Sequence, residues 1–335
     1  MTGGLSVAIP CRADEPDLGA TLESLFTACQ HPRLPQQFMR EVVVCLNGLK
    51  RGESCAPLAA ARDFAVRHGM SVKEAWPEQE DKSAKSEPHA GICTSQVSTN
   101  LPHPSFIVVL TERRGKPPAW NTLWQWTKEE TVLFCDADVR LAEDAVYSLH
   151  DKFQQEPHLR LVAAREVPVL QHEGTFWSRM GALPYRFDFG NAGGRLYMMR
   201  KSAMSGAMPE DLLLEDAWLT VAVGRRHVAK DLRARVFFLP PATWRDCFAE
   251  RVRTEGGKLQ IRRVHGELLT EGPIAQYHWR QFLRDIAMHE YPLVACSLGV
   301  RLLARLWAWV SLKRKDFYAL YRPFSSTKGW TPTNR

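Results

Sequence analysis

The chain has 335 residues, of which 45% are hydrophobic and 24% charged, with eight cysteines and a formal net charge of +7. This composition is typical of one large α/β domain, or about one and a half domains, and excludes fibrous and intrinsically disordered classes. The cysteines form no C-x-x-C pair, and the N-terminus lacks a basic segment followed by a long apolar core. We therefore expect free thiols and a cytoplasmic protein without a signal peptide.

Positive charge is concentrated in the last third of the chain. Residues 225–335 contain 21 Lys and Arg against 9 Asp and Glu, a net charge of +12, whereas residues 1–224 contain 23 against 28, a net charge of −5. This asymmetry indicates either a solvated basic face or a surface that meets phosphate, an acidic ligand or an anionic membrane.

The first half of the chain alternates between apolar runs and segments with helical spacing of apolar residues. We predict strands at 5–10, 41–48 and 131–138, with a further strand at 71–76 or, more strongly, at 105–111. We predict helices at 18–30, 55–69, 117–127 and 141–153. The alternation predicts a doubly wound, mostly parallel sheet with flanking helices, in which ligands bind beyond the carboxyl ends of the strands.

One segment interrupts this alternation. Residues 77–104 are rich in Pro, Ser, Glu and Lys and have no hydrophobic period. We predict that they form a flexible insertion.

Two aspartates end an apolar run in the sequence VLFCDADVRL, as Asp136 and Asp138. A carboxylate that leaves water needs compensation from solvent, a basic side chain or a bound cation. A solvated strand end is the plain alternative, in which Asp138 would favour the start of the helix predicted at 141–153.

A second carboxylate pair, Glu215 and Asp216, lies in the sequence LLLEDAWL, directly before a segment with helical periodicity. A carboxylate at the head of a helix beside an apolar wall is suited to take a proton from a hydroxyl group. Asp216 could instead cap the helix, which is a common use of aspartate.

The motifs occur in a recognisable order along residues 5–263. They are SVAIPCRADEP, VVVCLNG, RRGKPPAWNTLW, VLFCDADVRL, GGRLYMMRKSA, LLLEDAWLT and RVRTEGGKLQ. This ordered set resembles the family-2 glycosyltransferases of the GT-A fold. The resemblance implies inverting transfer of a sugar from a nucleotide-sugar, usually a UDP-sugar, to a hydroxyl group of a glycan or lipid acceptor. The Gln-x-x-Arg-Trp motif of processive synthases is missing, which favours a non-processive enzyme.

The resemblance also assigns roles to the two acidic pairs. It implies that Asp138 contacts Mg²⁺ or Mn²⁺, and that Asp136 contacts the metal, the nucleotide or its ribose. A hard cation shared by one or two carboxylates and the phosphates would neutralise the departing nucleotide diphosphate. In the same pattern Asp216 is the catalytic base, and Glu215 positions the acceptor or neighbouring groups.

The resemblance implies nucleotide contacts from Pro10, Arg12 and Glu15. Asn47 stands where many relatives carry an acidic residue that contacts uracil, so the identity of the base stays open. Lys116 would contact the diphosphate as a point charge. The alternatives are a salt-bridged surface loop for Arg12 and Glu15 and an ordinary solvated lysine at Lys116.

Two later motifs complete the predicted site. Gly194 would allow close approach of the backbone where the donor sugar and acceptor bind. The resemblance also implies that Arg251 and Arg253 fall at the family's arginine positions near the diphosphate. The alternatives are a plain turn before a strand and a basic helix on the surface.

The motifs divide the chain into a nucleotide-sugar-binding catalytic domain at 1–265 and a basic, amphipathic helical extension at 266–335. The segment 291–312 is long enough to span a bilayer, but Arg301 and Arg305 lie near its middle, where each would cost about 2.5–3.5 kcal/mol. We therefore predict either peripheral membrane contact through 280–315 or a helix packed on the catalytic domain.

Two other functions fit parts of the sequence. A nucleotidyltransferase of related fold should carry a glycine-rich basic loop after the first strand, and CRADEPD lacks it. The basic C-terminal region alone could bind anionic lipids or polyanions without catalysis. We expect no nucleic-acid partner, since the sequence contains no helix-turn-helix, zinc-finger or RNA-binding aromatic motif.

Overall fold

A computed structural model describes residues 3–77, 104–171, 174–186, 193–264 and 286–311. The strands are β1 (Leu5–Arg12), β2 (Met39–Asn47), β3 (Val72–Ala75), β4 (Ser105–Thr111), β5 (Thr131–Cys135), β6 (Arg140–Leu141), β7 (Leu161–Pro168), β8 (Leu196–Arg200) and β9 (Val228–Phe238). The helices are α1 (Leu18–Cys29), α2 (Ala56–Arg67), α3 (Lys116–Trp126), α4 (Ala145–Gln155), α5 (Phe176–Ala182), α6 (Glu215–Val223), α7 (Trp244–Val264) and α8 (Tyr291–Ser311). Almost all of the predicted insertion at 77–104 lies outside the described residues.

The described strands form one sheet in the order β3-β4-β2-β1-β5-β8-β7-β9-β6. The pairs β1–β2, β1–β5, β2–β4, β3–β4 and β7–β9 are parallel, and β5–β8, β7–β8 and β6–β9 are antiparallel. The prediction of a mostly parallel sheet with flanking helices is confirmed. Both candidates for the further strand exist, as the neighbours β3 and β4.

The sheet is buried on both faces, as continuous apolar runs in parallel strands predict. One face packs against α1, α2 and α4, which contribute Leu22, Phe64 and Leu149 to the core. The other face packs against α3 and α6, which contribute Trp120 and Leu219. Alternate residues of each strand therefore belong to two separate apolar layers.

The parallel strands bring polar residues from distant parts of the chain to one edge of the sheet. Arg12, the last residue of β1, is in register with Asn47, the last residue of β2. Asp136 follows β5 directly, and its backbone N–H donates to the carbonyl oxygen of Arg195 at 2.8 Å. The carboxyl ends of β1, β2 and β5 therefore meet the start of β8, where the sheet changes from parallel to antiparallel.

The C-terminal helix α8 packs one face against α7 and α5, where Ala304 and Ala308 are buried. Arg301 Nε donates to Glu255 Oε1 of α7 at 2.9 Å. The prediction of a helix in this region is therefore confirmed over Tyr291–Ser311. The rest of the predicted extension at 266–335 lies outside the described residues, except for 286–290.

Candidate active site

A cavity of about 660 Å³ opens at the carboxyl edge of the sheet. Its walls come from the loops after β1, β2, β5 and β9, from the starts of α3, β8 and α6, and from α7. The sequence-predicted site residues that line it are Pro10, Arg12, Glu15, Asn47, Lys116, Asp136, Asp138, Gly194, Glu215, Asp216 and Arg253. Arg251 is not among the lining residues, and its charge acts instead on Tyr185 and Cys247.

Lys116 joins the two acidic pairs. It is the first residue of α3, and its Nζ lies 2.7 Å from Asp136 Oδ1 and 2.6 Å from Glu215 Oε1. The same ammonium donates to the carbonyl oxygen of Gly194 at 3.2 Å. Burial opposes its charge, but Asp136 and Glu215 hold the pKa of Lys116 well above its usual value. A basic side chain thus compensates the strand-end aspartate in this structure, and Lys116 is not an ordinary solvated lysine.

The two carboxylates that share this lysine differ in how firmly they stay ionised. Burial raises the pKa of Asp136 to about 6, although Lys116 opposes the shift. Burial acts in the same direction on Glu215, but Lys116 and then Arg253 outweigh it and lower the pKa of that carboxyl. Burial and the charge of Lys116 thus act in opposite directions on both carboxylates.

Asp216 lies in the first turn of α6 and is not its N-cap, which is Leu214. Its Oδ1 accepts from the backbone N–H of Ala217 at 2.8 Å. Burial and the nearby charges of Glu215 and Glu166 raise the pKa of Asp216 to about 6. Such a carboxylate is ionised at neutral pH and remains basic enough to accept a proton.

Gly194 has a steric reason to be glycine. A Cβ atom at this position would lie 3.2 Å from the Cβ and 3.6 Å from Oδ2 of Asp216. The missing side chain lets the segment before β8 approach the first turn of α6 closely. This explains how the glycine predicted at the donor and acceptor side comes to lie against the second acidic pair.

One wall of the cavity is built from the ends of β1 and β2. Asn47 is buried, and its Nδ2 donates to the carbonyl oxygen of Cys11 at 2.9 Å. Glu15 is also buried, and its Oε1 accepts from the N–H of Asp17 at 3.2 Å. Arg12 pairs with the exposed Asp14. The salt-bridged surface loop proposed as an alternative therefore describes Arg12, whereas Glu15 is buried rather than on the surface.

A second polar cluster beside Asp216 has no counterpart among the sequence predictions. Arg195 Nη1 lies 3.2 Å from Glu166 Oε1 and 3.3 Å from the hydroxyl of Tyr185, and that hydroxyl donates to Glu250 Oε1 at 3.5 Å. The Arg195 guanidinium also stacks 3.7 Å from the ring centre of Phe238. The other members of this cluster come from separate elements, so no sequence motif connects them. The one signal in the sequence that could have indicated a role for Arg195 is its position directly after Gly-Gly.

Helix α7 supports the segment that carries the second acidic pair. Gln260 Oε1 accepts from the N–H of Leu213, and Gln260 Nε2 donates to the carbonyl oxygen of Asp211. A Cβ atom on Gly257 would lie 2.4 Å from the Cβ of Leu214, the residue before Glu215. This glycine sets the distance between α7 and the start of α6.

Substituting Gly257 with alanine should therefore destabilise the protein. The gain in helix propensity is about 1 kcal/mol. Overpacking of a buried contact costs about 1–3 kcal/mol, and a contact as short as this one belongs in the upper part of that range, about 2–3 kcal/mol. We expect a net loss of about 1–2 kcal/mol in the free energy of unfolding, measured by urea denaturation. Gly299→Ala in α8 is the matched control, because no atom lies within 4 Å of its added Cβ. A Gly257→Ala variant as stable as wild type would contradict this close contact.

The cavity offers oxygen ligands for a hard cation, although within the described residues no three or more His, Cys, Asp or Glu side chains cluster as a complete metal site. Asp136 and Asp138 both line the cavity. Mg²⁺ is commonly held by one or two carboxylates together with water and substrate phosphates. The acidic pair fits such a shared site and does not fit a site made of protein ligands alone.

Comparison with known proteins gives a partial match to a family model and a similar fold. The model described as glycosyl transferase family 2 matches residues 91–205, about a third of the chain. No curated protein matches the sequence. The mannosyltransferase PcManGT from Pyrobaculum calidifontis, solved with GDP-Man and Mn²⁺, is 19% identical with a TM-score of 0.53, and the alignment covers 97% of this chain and 82% of that one. At this identity the likeness shows the fold.

Two further solved structures are more distant. TarS from S. aureus is 15% identical with a TM-score of 0.46, covering 94% of this chain and 54% of its own. The glucosyl-3-phosphoglycerate synthase of Mycobacterium tuberculosis, solved with Mn²⁺, UDP and its product, is 12% identical with a TM-score of 0.45, covering 79% and 81%.

Proposed function

We propose that this chain, a glycosyltransferase of the GT-A fold with a family 2 segment at residues 91–205, transfers a sugar from a nucleotide-sugar to an acceptor hydroxyl with inversion at the anomeric carbon. One observation carries the proposal. The strand-end pair, Asp136 and Asp138, and the helix-head pair, Glu215 and Asp216, line the same cavity. One site therefore contains candidate residues for holding a metal at the leaving group and for accepting the proton of the acceptor.

The strand-end pair would hold Mg²⁺ or Mn²⁺, which is consistent with the Mn²⁺ in the PcManGT complex. When bound, such a cation neutralises the charge that develops on the departing diphosphate. Lys116 and Arg253 line the same cavity and are the basic residues suited to contact the phosphates. Lys116 forms an ion pair with Glu215, and the charge of Arg253 also acts on Glu215. These interactions keep both basic side chains beside the acidic groups in the absence of donor.

Asp216 is the proposed general base. In one step, the acceptor oxygen bonds to the anomeric carbon, the bond from that carbon to the phosphate oxygen breaks, and the acceptor proton moves to Asp216. Its place at the head of α6, on a different element from the strand-end pair, suits a group that acts on the acceptor rather than on the diphosphate. Glu215 keeps its charge through Lys116 and positions the groups around the acceptor.

The nucleoside would bind near Pro10, Arg12, Glu15 and Asn47, and UDP is the proposed nucleotide of the donor. The acceptor would be a glycan or lipid, used once per binding event rather than processively. We also propose a cytoplasmic location, because each cysteine in the described part of the chain is a free thiol.

Product analysis tests this function directly. The protein is incubated with a panel of UDP- and GDP-sugars and Mn²⁺, and donor hydrolysis is followed to find the sugar that is used. The anomeric configuration of the transferred or hydrolysed sugar is then read by proton NMR before mutarotation. An inverted product is expected. A retained configuration would refute the role of Asp216, and no turnover of any nucleotide-sugar would refute the proposed donor class.

The turnover number should fall in acid solution. A general base must be ionised, and the pKa of Asp216 is raised to about 6. We therefore expect kcat at saturating donor to be level near pH 8 and to fall about tenfold per pH unit below pH 6, because the ionised fraction of the base falls by that factor. Thermal unfolding over the same range controls for loss of structure. A kcat that is unchanged between pH 5 and pH 8 would contradict a base with this pKa.

A further inference from the structure

Helix α8 presents an unusual surface, because its apolar residues face outward. The segment Met288–Ser311 is long and apolar enough to cross a membrane, yet only 11% of its most apolar window is buried. The side of α8 that packs on the protein is made mostly of small residues, including Ala304, Ala308 and Ser311. Apart from Val294, which packs with Leu183 and Ile286, the large apolar side chains of this helix therefore do not form its contact with the protein.

These outward residues form a continuous surface, which we call the outer face of α8. Its members are Leu298, Leu302, Leu303, Leu306, Trp307, Trp309 and Val310. Leu302 is 64% exposed and Leu306 is 62% exposed. Spacings of three and four residues place Leu298, Leu302, Leu306 and Trp309 along one side of the helix. A patch of this kind on a soluble protein marks an interaction site.

The two arginines of α8 border this surface. Arg301 donates to Glu255 of α7, which also pairs with Lys258. One of the two arginines that the sequence places mid-helix is thus used within the protein. Arg305 is exposed, as Arg301 is, and its spacing of three and four residues from Leu302 and Trp309 places it at the edge of the outer face. A membrane-spanning arrangement would break the contact between Arg301 and Glu255 and expose the face that packs on α7, so α8 suits an orientation parallel to a surface.

We infer that the outer face of α8 docks on an anionic membrane, with the helix in the plane of the interface and the catalytic domain outside it. Charge selects this partner. Residues 286–335 contain eight Lys and Arg against two Asp and Glu, and Lys313, Arg314 and Lys315 follow the helix directly. Anionic headgroups complement this charge, whereas a second copy of the chain would bring the same positive charge against it. Trp307 and Trp309 are the residue type enriched at membrane interfaces.

Vesicle sedimentation of the full chain tests the inference without depending on sugar transfer. The probes are vesicles of phosphatidylcholine alone and vesicles with phosphatidylglycerol as an anionic component. We expect wild-type protein to sediment with the anionic vesicles and to bind them less at high salt. A Leu302→Glu, Leu306→Glu double variant should bind at least tenfold more weakly. Val66→Glu is the matched control, because Val66 is 75% exposed on α2, and it should bind as wild type does.

Three results would overturn the inference. They are a wild-type chain that ignores anionic vesicles, a double variant that binds them as well as wild type, and a Val66→Glu variant that binds as weakly as the double variant. Analytical ultracentrifugation tests whether a second copy of the chain covers this surface instead. If the wild type binds no vesicles and is a dimer, and the double variant is a monomer, the surface is a dimer interface. Equal melting temperatures of all variants exclude unfolding as the cause.

Discussion

Replacing Asp216 with asparagine should lower the turnover number by about a hundredfold to ten-thousandfold, the range that a general base contributes. The amide has nearly the same shape as the carboxylate, and its oxygen can still accept from the N–H of Ala217. It cannot accept the proton of an attacking hydroxyl. The bridge between Lys116, Asp136 and Glu215 does not involve Asp216, so binding of the nucleotide diphosphate should stay nearly unchanged.

The measurement for this variant pairs steady-state transfer with calorimetric titration of the nucleotide. Asp211→Asn is the matched control, because Asp211 is exposed in the segment just before α6 and should retain normal turnover. If the Asp216→Asn variant has wild-type turnover, another residue is the base. Loss of nucleotide binding in the same variant would instead assign Asp216 to the donor site.

Replacing Asp138 with alanine should weaken nucleotide binding, which the Asp216→Asn substitution leaves nearly unchanged. The binding that is lost should be the part that depends on the cation. Asp136 Oδ1 already pairs with Lys116, so removal of Asp138 leaves only a carboxylate that an ammonium group holds at 2.7 Å. Loss of an outer-shell partner of a metal costs about 10- to 100-fold in affinity, and a direct ligand should cost at least as much. We therefore expect the Kd for nucleotide with Mn²⁺ to rise by about a hundredfold or more.

The control for this variant is Asp144→Ala. Asp144 precedes α4 and makes no side-chain capping bond to it, so its loss removes an acid from the same region without removing a proposed ligand. Binding measured in a chelator should be equal in wild type, Asp138→Ala and Asp144→Ala. If Asp138→Ala binds nucleotide with Mn²⁺ as tightly as wild type does, Asp138 is not a metal ligand.

Much of the fold could be predicted because its strands are buried on both faces. Runs such as EVVVCL have few alternatives to a parallel strand, and the polar residues that follow them identify the ligand-binding edge. The antiparallel direction of β8 could not be predicted, because an apolar run of four residues carries no signal of its orientation. Its direction depends on pairing with both β5 and β7.

Candidate site residues could be predicted where a single sequence motif contains them. Contacts between residues that are distant in the sequence could not be predicted. Asp136 and Lys116 are separate motifs in the sequence, and only the fold brings Lys116 between Asp136 and Glu215. The contacts of Arg195 join β7, β8 and the Tyr185 turn, so no spacing along the chain could indicate them. Arg301 shows the same limit, since helical periodicity cannot tell which side of α8 meets α7.

In the proposed function, a divalent cation joins the strand-end acidic pair to the diphosphate of a nucleotide. Calorimetric titration of wild-type protein with UDP, and separately with GDP, measures this link directly. Each titration is made with Mn²⁺ and again with a chelator. We predict one site per chain and at least tenfold tighter binding of one nucleotide when Mn²⁺ is present. Equal affinities with Mn²⁺ and with chelator for both nucleotides would contradict a cation held between Asp136, Asp138 and a diphosphate.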